Sequence, residues 1–250
     1  MSTAVLKILS YNIHKGFSSS NQRFVLSGIK EGIKSTGADI VFLQEVVGQN
    51  TKHARSVHEW PSQAQFEFLA DSIWPHYAYG KNSVYISGHH GNAILSAFPI
   101  VKWSNSDIST NRMEKRGLLY AKIELPEHNK VVDCFCVHLS LFESGRSKQM
   151  ISITDVIKSE GSGSTPLILA GDFNDWRGNA SKFLVQSLDL NEIFLKTDGK
   201  HARTYPSLLP IFQLDRIYVR GVTIGDARVL TGMPWSRLSD HSALYAEIEI

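Results

Sequence analysis

Short apolar runs of strand length recur along the whole chain, and what separates them changes partway through. Near the start, "VLKILSYNIHKG" and "ADIVFLQEV" flank "RFVLSGIKEGIKSTG", where Val25, Ile29 and Ile33 fall four apart and Gly37 closes the stretch, so a strand, a helix and a strand are expected in turn. "SQAQFEFLADSIW" repeats the helical spacing with Phe66, Leu69, Ala70, Ile73 and Trp74. Then "NAILSAFPIVKW", "RGLLYAKIEL" and "KVVDCFCVHLSL" follow one another with no helix between them, as antiparallel neighbours would. A helix over 144–158, the strand "TPLILAGDF", a short helix over 179–187, and the strands "LDRIYVRG" and "HSALYAEIEI" complete the chain. This mixture fits neither a fully parallel doubly wound sheet nor a β/α barrel. It fits an α/β (α+β) architecture in which mixed sheets pack on each other with helices outside.

The 250 residues, 42% hydrophobic and 20% charged, suit one soluble domain spanning 1–250, with "SEGSGSTP" (159–166) as a loop rather than a linker. A formal net charge of +2 is too small to argue for a dedicated nucleic-acid binder. The first residues lack the basic and apolar segments of a signal peptide, and no apolar run is long enough to span a bilayer. Cys134 and Cys136 stand two apart on one strand, facing the same way, so core thiols are expected rather than a disulfide. A cytoplasmic monomer is the expectation.

Five of the strand runs share a trait: each meets polar groups at one end. These are Asn12, Glu45, His138, Asp172 with Asn174, and Asp240 with His241, while Asp215 is a lone acid in the apolar "FQLDRIYV". Strand alternation would point Asp172 and Asn174 of "GDFND" the same way. Any one of these residues could be a turn former, a cap or a surface ion-pair partner. Seven at strand ends suggest one sheet edge gathering them into a cleft.

Metal-assisted phosphoester hydrolysis is the chemistry that uses such a set. A hard ion such as Mg²⁺, or Mn²⁺, takes oxygen ligands, which Glu45, Asp172 and Asp240 can supply with help from Asn12. A carboxylate must orient the attacking water, neutral donors must hold the phosphate, and a buried acid such as Asp215 would fix the tautomer of His241. A zinc site using His53, His58, His89 and His90 is the weaker reading, since "GHHGNA" brings no matching third ligand.

"LSYNIHKG", "DIVFLQEV", "GNAILSAFPI", "VHLSL", "LILAGDFND", "LDRIYV" and "LSDHSAL" occur in the order found in the endonuclease/exonuclease/phosphatase superfamily, which the chain resembles over nearly its whole length. This metal-dependent group includes DNase I-like and exonuclease III-like nucleases, neutral sphingomyelinases and inositol polyphosphate 5-phosphatases, and the sequence looks most like a small bacterial cytosolic branch. The resemblance implies a four-layer α/β sandwich, two mixed β-sheets face to face with helices outside and the active cleft at one end. By motif it implies that Glu45 binds the principal metal with Asn12 and Asp240 nearby, that Asp172 activates water and Asn174 positions it, and that His241 paired with Asp215 stabilises the phosphate. His138 takes the position of the histidine of DNase I-like members, and Arg116 becomes a phosphate contact.

The sequence also departs from these relatives. No acid partner for His138 is evident where DNase I-like nucleases carry one. Leu169-Ala170, Asp175 and Leu214 stand where 5-phosphatases typically have Trp, Arg and Cys, which demotes inositol phosphates as substrates. The expectation is a Mg²⁺-dependent phosphodiesterase acting on nucleic acid or a related diester. Lys7, Lys15, Arg23, Lys81 and Arg177 would flank the cleft, and Trp176 would stack on a base or pack at its floor. A phospholipid headgroup diester, approached through the apolar loop "PSLLPIFQ", is the enzymatic alternative. A catalytically silent phosphate-ligand binding protein is the alternative of another class.

Overall fold

A computed structural model describes residues 4–71, 73–161 and 163–250. Ser72 and Ser162, which fall in the helical run 62–74 and the loop 159–166, lie outside the described residues, as do the first three residues. In chain order the elements are β1 (Val5–Asn12), α1 (Leu26–Ser35), β2 (Ile40–Asn50), α2 (His53–Ser56), α3 (Gln65–Ala70), β3 (His76–Tyr85), β4 (Gly88–Ser96), β5 (Ile100–Asp107), β6 (Gly117–Leu125) and β7 (Lys130–His138). The second half comprises α4 (Glu143–Glu160), β8 (Leu167–Asp172), α5 (Asn179–Leu188), β9 (Asn191–Glu192), α6 (Ile193–Thr197), β10 (Asp215–Arg220), β11 (Thr223–Leu230), α7 (Trp235–Leu238) and β12 (Ala243–Glu249).

The strands form two six-stranded mixed sheets, ordered β11-β12-β1-β2-β4-β3 and β5-β6-β7-β8-β10-β9. Each centres on a parallel pair, β1 with β2 and β7 with β8, flanked by antiparallel strands. Three hydrophobic clusters fill the three spaces between four layers. The middle one joins inner faces of both sheets, with Ile8, Phe42, Ile94, Cys136, Ala170, Ile217 and Leu244 among its members. Leu9, Tyr11, Val41 and Leu43, on the other face of the first sheet, meet Ile29 and Ile33 of α1 and Trp235 of α7. Phe135, Val137, Leu169 and Tyr218, on the other face of the second, meet Ile153 of α4 and Leu184 of α5. The chain is therefore the expected four-layer α/β sandwich. Each central strand alternates between two apolar environments, which is why its sequence reads as a nearly continuous apolar run.

Some local expectations change. "NAILSAFPIVKW" is not one strand: Pro99 interrupts it, β4 stays in the first sheet, and β5 opens the second. The second strand does not stop at Glu45 but continues to Asn50. Its register passes from Leu43 opposite Ala93 to Val46 opposite Gly91, so Gln44 and Glu45 together oppose Asn92 in a β-bulge. Cys134 and Cys136 are both free and buried, as expected, and burial pushes the Cys136 thiol up to about 12. No helix among the described residues is long and apolar enough to cross a membrane.

Candidate active site

The strand directions decide where the polar groups collect. The parallel pairs bring the C-terminal ends of β1, β7 and β8 to one edge of the sandwich. Because β10 and β12 run antiparallel to their neighbours, they bring their N-terminal ends to that same edge. Parity then aims the side chains. Asn12 continues the series Leu6, Ile8, Ser10 on the inner face. His138 continues Cys134 and Cys136, Asp172 continues Ile168 and Ala170, and Asp215 precedes Ile217 and Val219. The polar set is thus the last layer of the inter-sheet core. His138, Asp172 and Asp215 form one transverse row, since Asp172 is register partner to both of the others.

Asp172, 1% exposed, is the hub. Its Oδ2 accepts from Asn12 Nδ2 at 3.0 Å across the two sheets, with His138 Nε2 at 3.5 Å and His241 Nε2 at 3.7 Å. Its Oδ1 accepts from the backbone N–H of Asn174 at 2.9 Å. Strand alternation does not align Asp172 with Asn174, however. The strand ends at Asp172, and Asn174 adopts the left-handed conformation (φ 49°), where its Nδ2 donates to Leu139 O at 3.0 Å. Both residues still line the same cavity.

His241 Nδ1 lies 2.8 Å from Asp215 Oδ2, the pairing the motif implies. Burial opposes charge on this ring, but the carboxylates of Asp215 and Asp172 outweigh it and raise the imidazolium to about 10. Burial, opposed by His241 and reinforced by Asp215, raises Asp172 to about 6. Ligating atoms of Asp172, Asp215 and His241 lie within 4.8 Å of one another. The 2.8 Å contact between His241 Nδ1 and Asp215 makes this trio a hydrogen-bonded acid–imidazole network. His138 goes the other way. Burial and the nearby Arg116 hold it well below the usual imidazole range, so the two histidines differ in charge.

The bulge turns Glu45 toward the cavity at φ 57°. Burial would raise its carboxyl, but His138, Lys15 and His14 overcome that and lower it to about 2. Glu45 Oε2 is buried without a hydrogen bond, and Lys15 Nζ lies 3.4 Å away. His14 links the remaining oxygen donors: its N–H donates to Asn12 Oδ1 at 3.1 Å, and its Nδ1 lies 3.6 Å from Asp240 Oδ1. Glu45, whose Oε2 has no hydrogen bond, lines the cavity with Asp240, and Asn12 Oδ1 and Asp240 Oδ1 both face His14; such a set of oxygen donors suits a hard divalent ion. Glu45, Asn12 and Asp240 would hold it.

Arg116 also lines the cavity, held by Glu114 at 2.8 Å and by Leu139 O at 3.1 Å, so the expected phosphate contact is braced in place. Trp176 lies half-exposed on the wall. Of the cations expected around the cleft, Lys7, Lys15, Arg23, Lys81 and Arg177, none lines the cavity itself; Lys15 pairs with Glu45 at its edge, and Arg177 lines the adjoining cavity. The zinc reading finds no support. His53 stacks on Trp60, His58 is exposed, and His89 hydrogen-bonds Tyr79, so the four histidines form no cluster among the described residues.

Two participants, Tyr205 and His14, escaped the sequence reading. Tyr205, from an irregular segment without periodic signal, packs 5.0 Å from the His241 ring, while Phe212 of the expected apolar loop "PSLLPIFQ" lines the same cavity. His14 stood in plain view in "NIHKG", immediately after the strand, where its position beside Asn12 was the available clue. Asp172 proves to be the acid beside His138, supplied by the neighbouring strand rather than by "GHHGNAILS". The cavity these groups surround measures about 450 Å³.

The whole arrangement has counterparts. The YbhP protein of Escherichia coli (strain K12) is 43% identical over 244 residues, covering 98% of this chain and 96% of that protein. An endonuclease/exonuclease/phosphatase from Bacteroides vulgatus superposes with a TM-score of 0.77 at 19% identity, covering 99% of each chain. D. rerio TDP2 complexed with single strand DNA product does so with a TM-score of 0.74 at 17% identity, covering 98% of this chain and 99% of that one. At such identities these two structures establish the fold alone. The family model for endonucleases, exonucleases and phosphatases matches residues 9–241, a span running from β1 to the histidine paired with Asp215, and the chain belongs to that family.

Proposed function

We propose that this protein is a Mg²⁺-dependent phosphodiesterase that cleaves its substrate by in-line attack of water. One observation carries the reading: a buried carboxylate, Asp172, stands between the rings of His138 and His241, and Glu45, whose Oε2 is buried without a hydrogen bond, lines the same cavity. A bound divalent ion would neutralise charge on the phosphoryl oxygens. Asp172 takes the proton of the attacking water. Asn174, fixed by its backbone turn, orients that water. His241, charged because Asp215 holds its Nδ1, stabilises the oxygen on which charge builds. Arg116, braced by Glu114, binds a non-bridging oxygen. Two imidazoles flanking one carboxylate suit a diester, whose two ester oxygens need separate contacts. Single-stranded nucleic acid is the favoured source of the diester, with Trp176 available to stack on a base.

The test is hydrolysis of bis-p-nitrophenyl phosphate against p-nitrophenyl phosphate with Mg²⁺, Mn²⁺ or EDTA. Diester cleavage that vanishes in EDTA and returns with Mg²⁺ is expected, and preferential monoester cleavage would overturn the reading. Glu45→Gln should raise the Mg²⁺ concentration needed for half-maximal rate by about tenfold or more, since it exchanges a ligand charge for a neutral amide. An unchanged Mg²⁺ requirement would remove Glu45 from the metal.

A second reading has its own observation. Leu141, Phe142, Leu208, Leu209, Ile211 and Phe212 are exposed on loops that also line the cavity, and such a rim suits a phospholipid headgroup diester. Hydrolysis of lipid in vesicles, reduced by Leu208→Ser with Leu209→Ser while bis-p-nitrophenyl phosphate turnover holds, would favour it over the nucleic-acid reading.

A further inference from the structure

We propose that a second cavity, on the far side of Trp176, is a subsite for another phosphoryl group of the substrate. The inference rests on the phosphodiesterase reading for the first phosphate and adds where the next one sits. This cavity, about 490 Å³, is lined by Arg177, Lys182, Gln186, His201 and Gln213 among others. It adjoins the candidate active site along a shared ridge. Trp176 lines both cavities, and the segment 212–214 alternates between them, with Phe212 and Leu214 facing the first and Gln213 the second.

The charged groups of the lining are of one sign. Beside the apolar Trp176, Val185 and Leu195 it holds two cations, two side-chain amides and an imidazole, and among the described residues no carboxylate lines it. Arg177 shares its charge with Glu143 at 3.0 Å, so Lys182 carries most of the attraction. His201 is not a casual surface residue. Its Nδ1 lies 2.9 Å from Oε2 of Glu192, whose side chain is fully buried and already fixed by the backbone N–H of Leu195. That pairing places the ring proton on Nδ1 and leaves Nε2 for a ligand. Nε2 can accept from a protonated phosphate oxygen or, once protonated, donate to an ionised one. A histidine braced by a buried acid therefore occurs in both cavities, His241 in the first and His201 in the second.

The substrate this describes is a diester with a further phosphate one linker away, the linker crossing Trp176. The ring has the Arg146 guanidinium 4.9 Å from its centroid and remains half-exposed. Short nucleotide strands and non-nucleosidic bisphosphates share this chemistry.

Binding, rather than turnover, tests the subsite. Calorimetry on the full chain carrying Asp172→Asn, in Mg²⁺, would compare thymidine 3′,5′-bisphosphate, each thymidine monophosphate and 1,4-butanediol bisphosphate. Inhibition of bis-p-nitrophenyl phosphate hydrolysis by the same four compounds in the otherwise unaltered chain gives a second measure. At least one bisphosphate should bind about tenfold tighter than the monophosphates, as one further charge-assisted phosphate contact would give. Added Lys182→Ala should bring it within about twofold of the monophosphates without weakening them, and His201→Gln should act in the same direction. A gain for both bisphosphates assigns the subsite to any second phosphate, and a gain for the thymidine compound alone assigns it to nucleotide strands. Equal affinity for one phosphate and two, or equal weakening of both by Lys182→Ala, overturns the proposal. Diester hydrolysis without bisphosphate preference sinks the subsite alone. Bisphosphate preference without diester hydrolysis sinks the catalytic reading instead.

Discussion

Asp172→Asn is expected to lower metal-dependent diester hydrolysis by about 10²–10⁴-fold, the range set by loss of a positioned general base. The substitution keeps the volume of the side chain and replaces the proton-accepting oxygen with an amide. Oδ1 can still accept from Asn174 N, so the turn after β8 should survive. The partner across the sheets is less well served, because an amide N–H facing Asn12 Nδ2 opposes donor to donor. His241 would also lose one of its two carboxylates, keeping Asp215 alone. A stability loss of about 1–2 kcal/mol follows from one compromised buried hydrogen bond. Urea unfolding measured beside bis-p-nitrophenyl phosphate hydrolysis separates the two effects. A phosphate-binding protein without turnover would keep its ligand affinity in this variant and show no wild-type hydrolysis to lose. Turnover within tenfold of wild type would remove Asp172 from the role of base.

What the sequence revealed of this site, and what it hid, follows from periodicity. Asn12, His138, Asp172 and Asp215 each continue or begin a period-two series of inner-face residues, so the pattern that marks the strands also marks which way the polar end groups point. The layering was legible for a similar reason, since strands apolar on both faces must be covered on both. Glu45 broke the rule. By alternation from Leu43 it belongs on the outer face, and only the extra residue of the bulge carries it to the cavity. A bulge needs a partner strand to be defined, and no single run of sequence contains one. The break between β4 and β5 was hidden because both runs are apolar, leaving Pro99 as the sole local sign of a change of sheet. Tyr205 and Phe212 reach the cavity from a segment whose course is set by tertiary contacts, such as the backbone bond from Ser207 N to Asp240 O at 2.7 Å. The His201–Glu192 pair was invisible for the same reason, its members being brought together by the α6 turn.

Gly171→Ala should unfold the protein more readily than any substitution at the polar site. Gly171 sits in β8 at φ 148°, and a methyl group there would fall 1.9 Å from the backbone oxygen of Val137 on β7. The obstacle is main chain in the next-to-last register pair of two parallel strands, so no rotamer change relieves it, and β7 and β8 must part there. The expected cost is about 3 kcal/mol or more, at or beyond the upper end for overpacking a well-filled interior. That same pairing sets His138 beside Asp172, and the bond from Leu139 N to Asp172 O at 2.8 Å continues it past the strand end. Separating the strands should therefore weaken diester hydrolysis even in the fraction that remains folded. Urea denaturation would show a midpoint shift with little change in slope, and activity per folded molecule would fall with it. If Gly171→Ala unfolds within 1 kcal/mol of wild type, the close approach of β7 to β8 is not a constraint in solution. The glycine of "GDFND" would then owe its place to the turn that follows Asp172 rather than to the strand behind it.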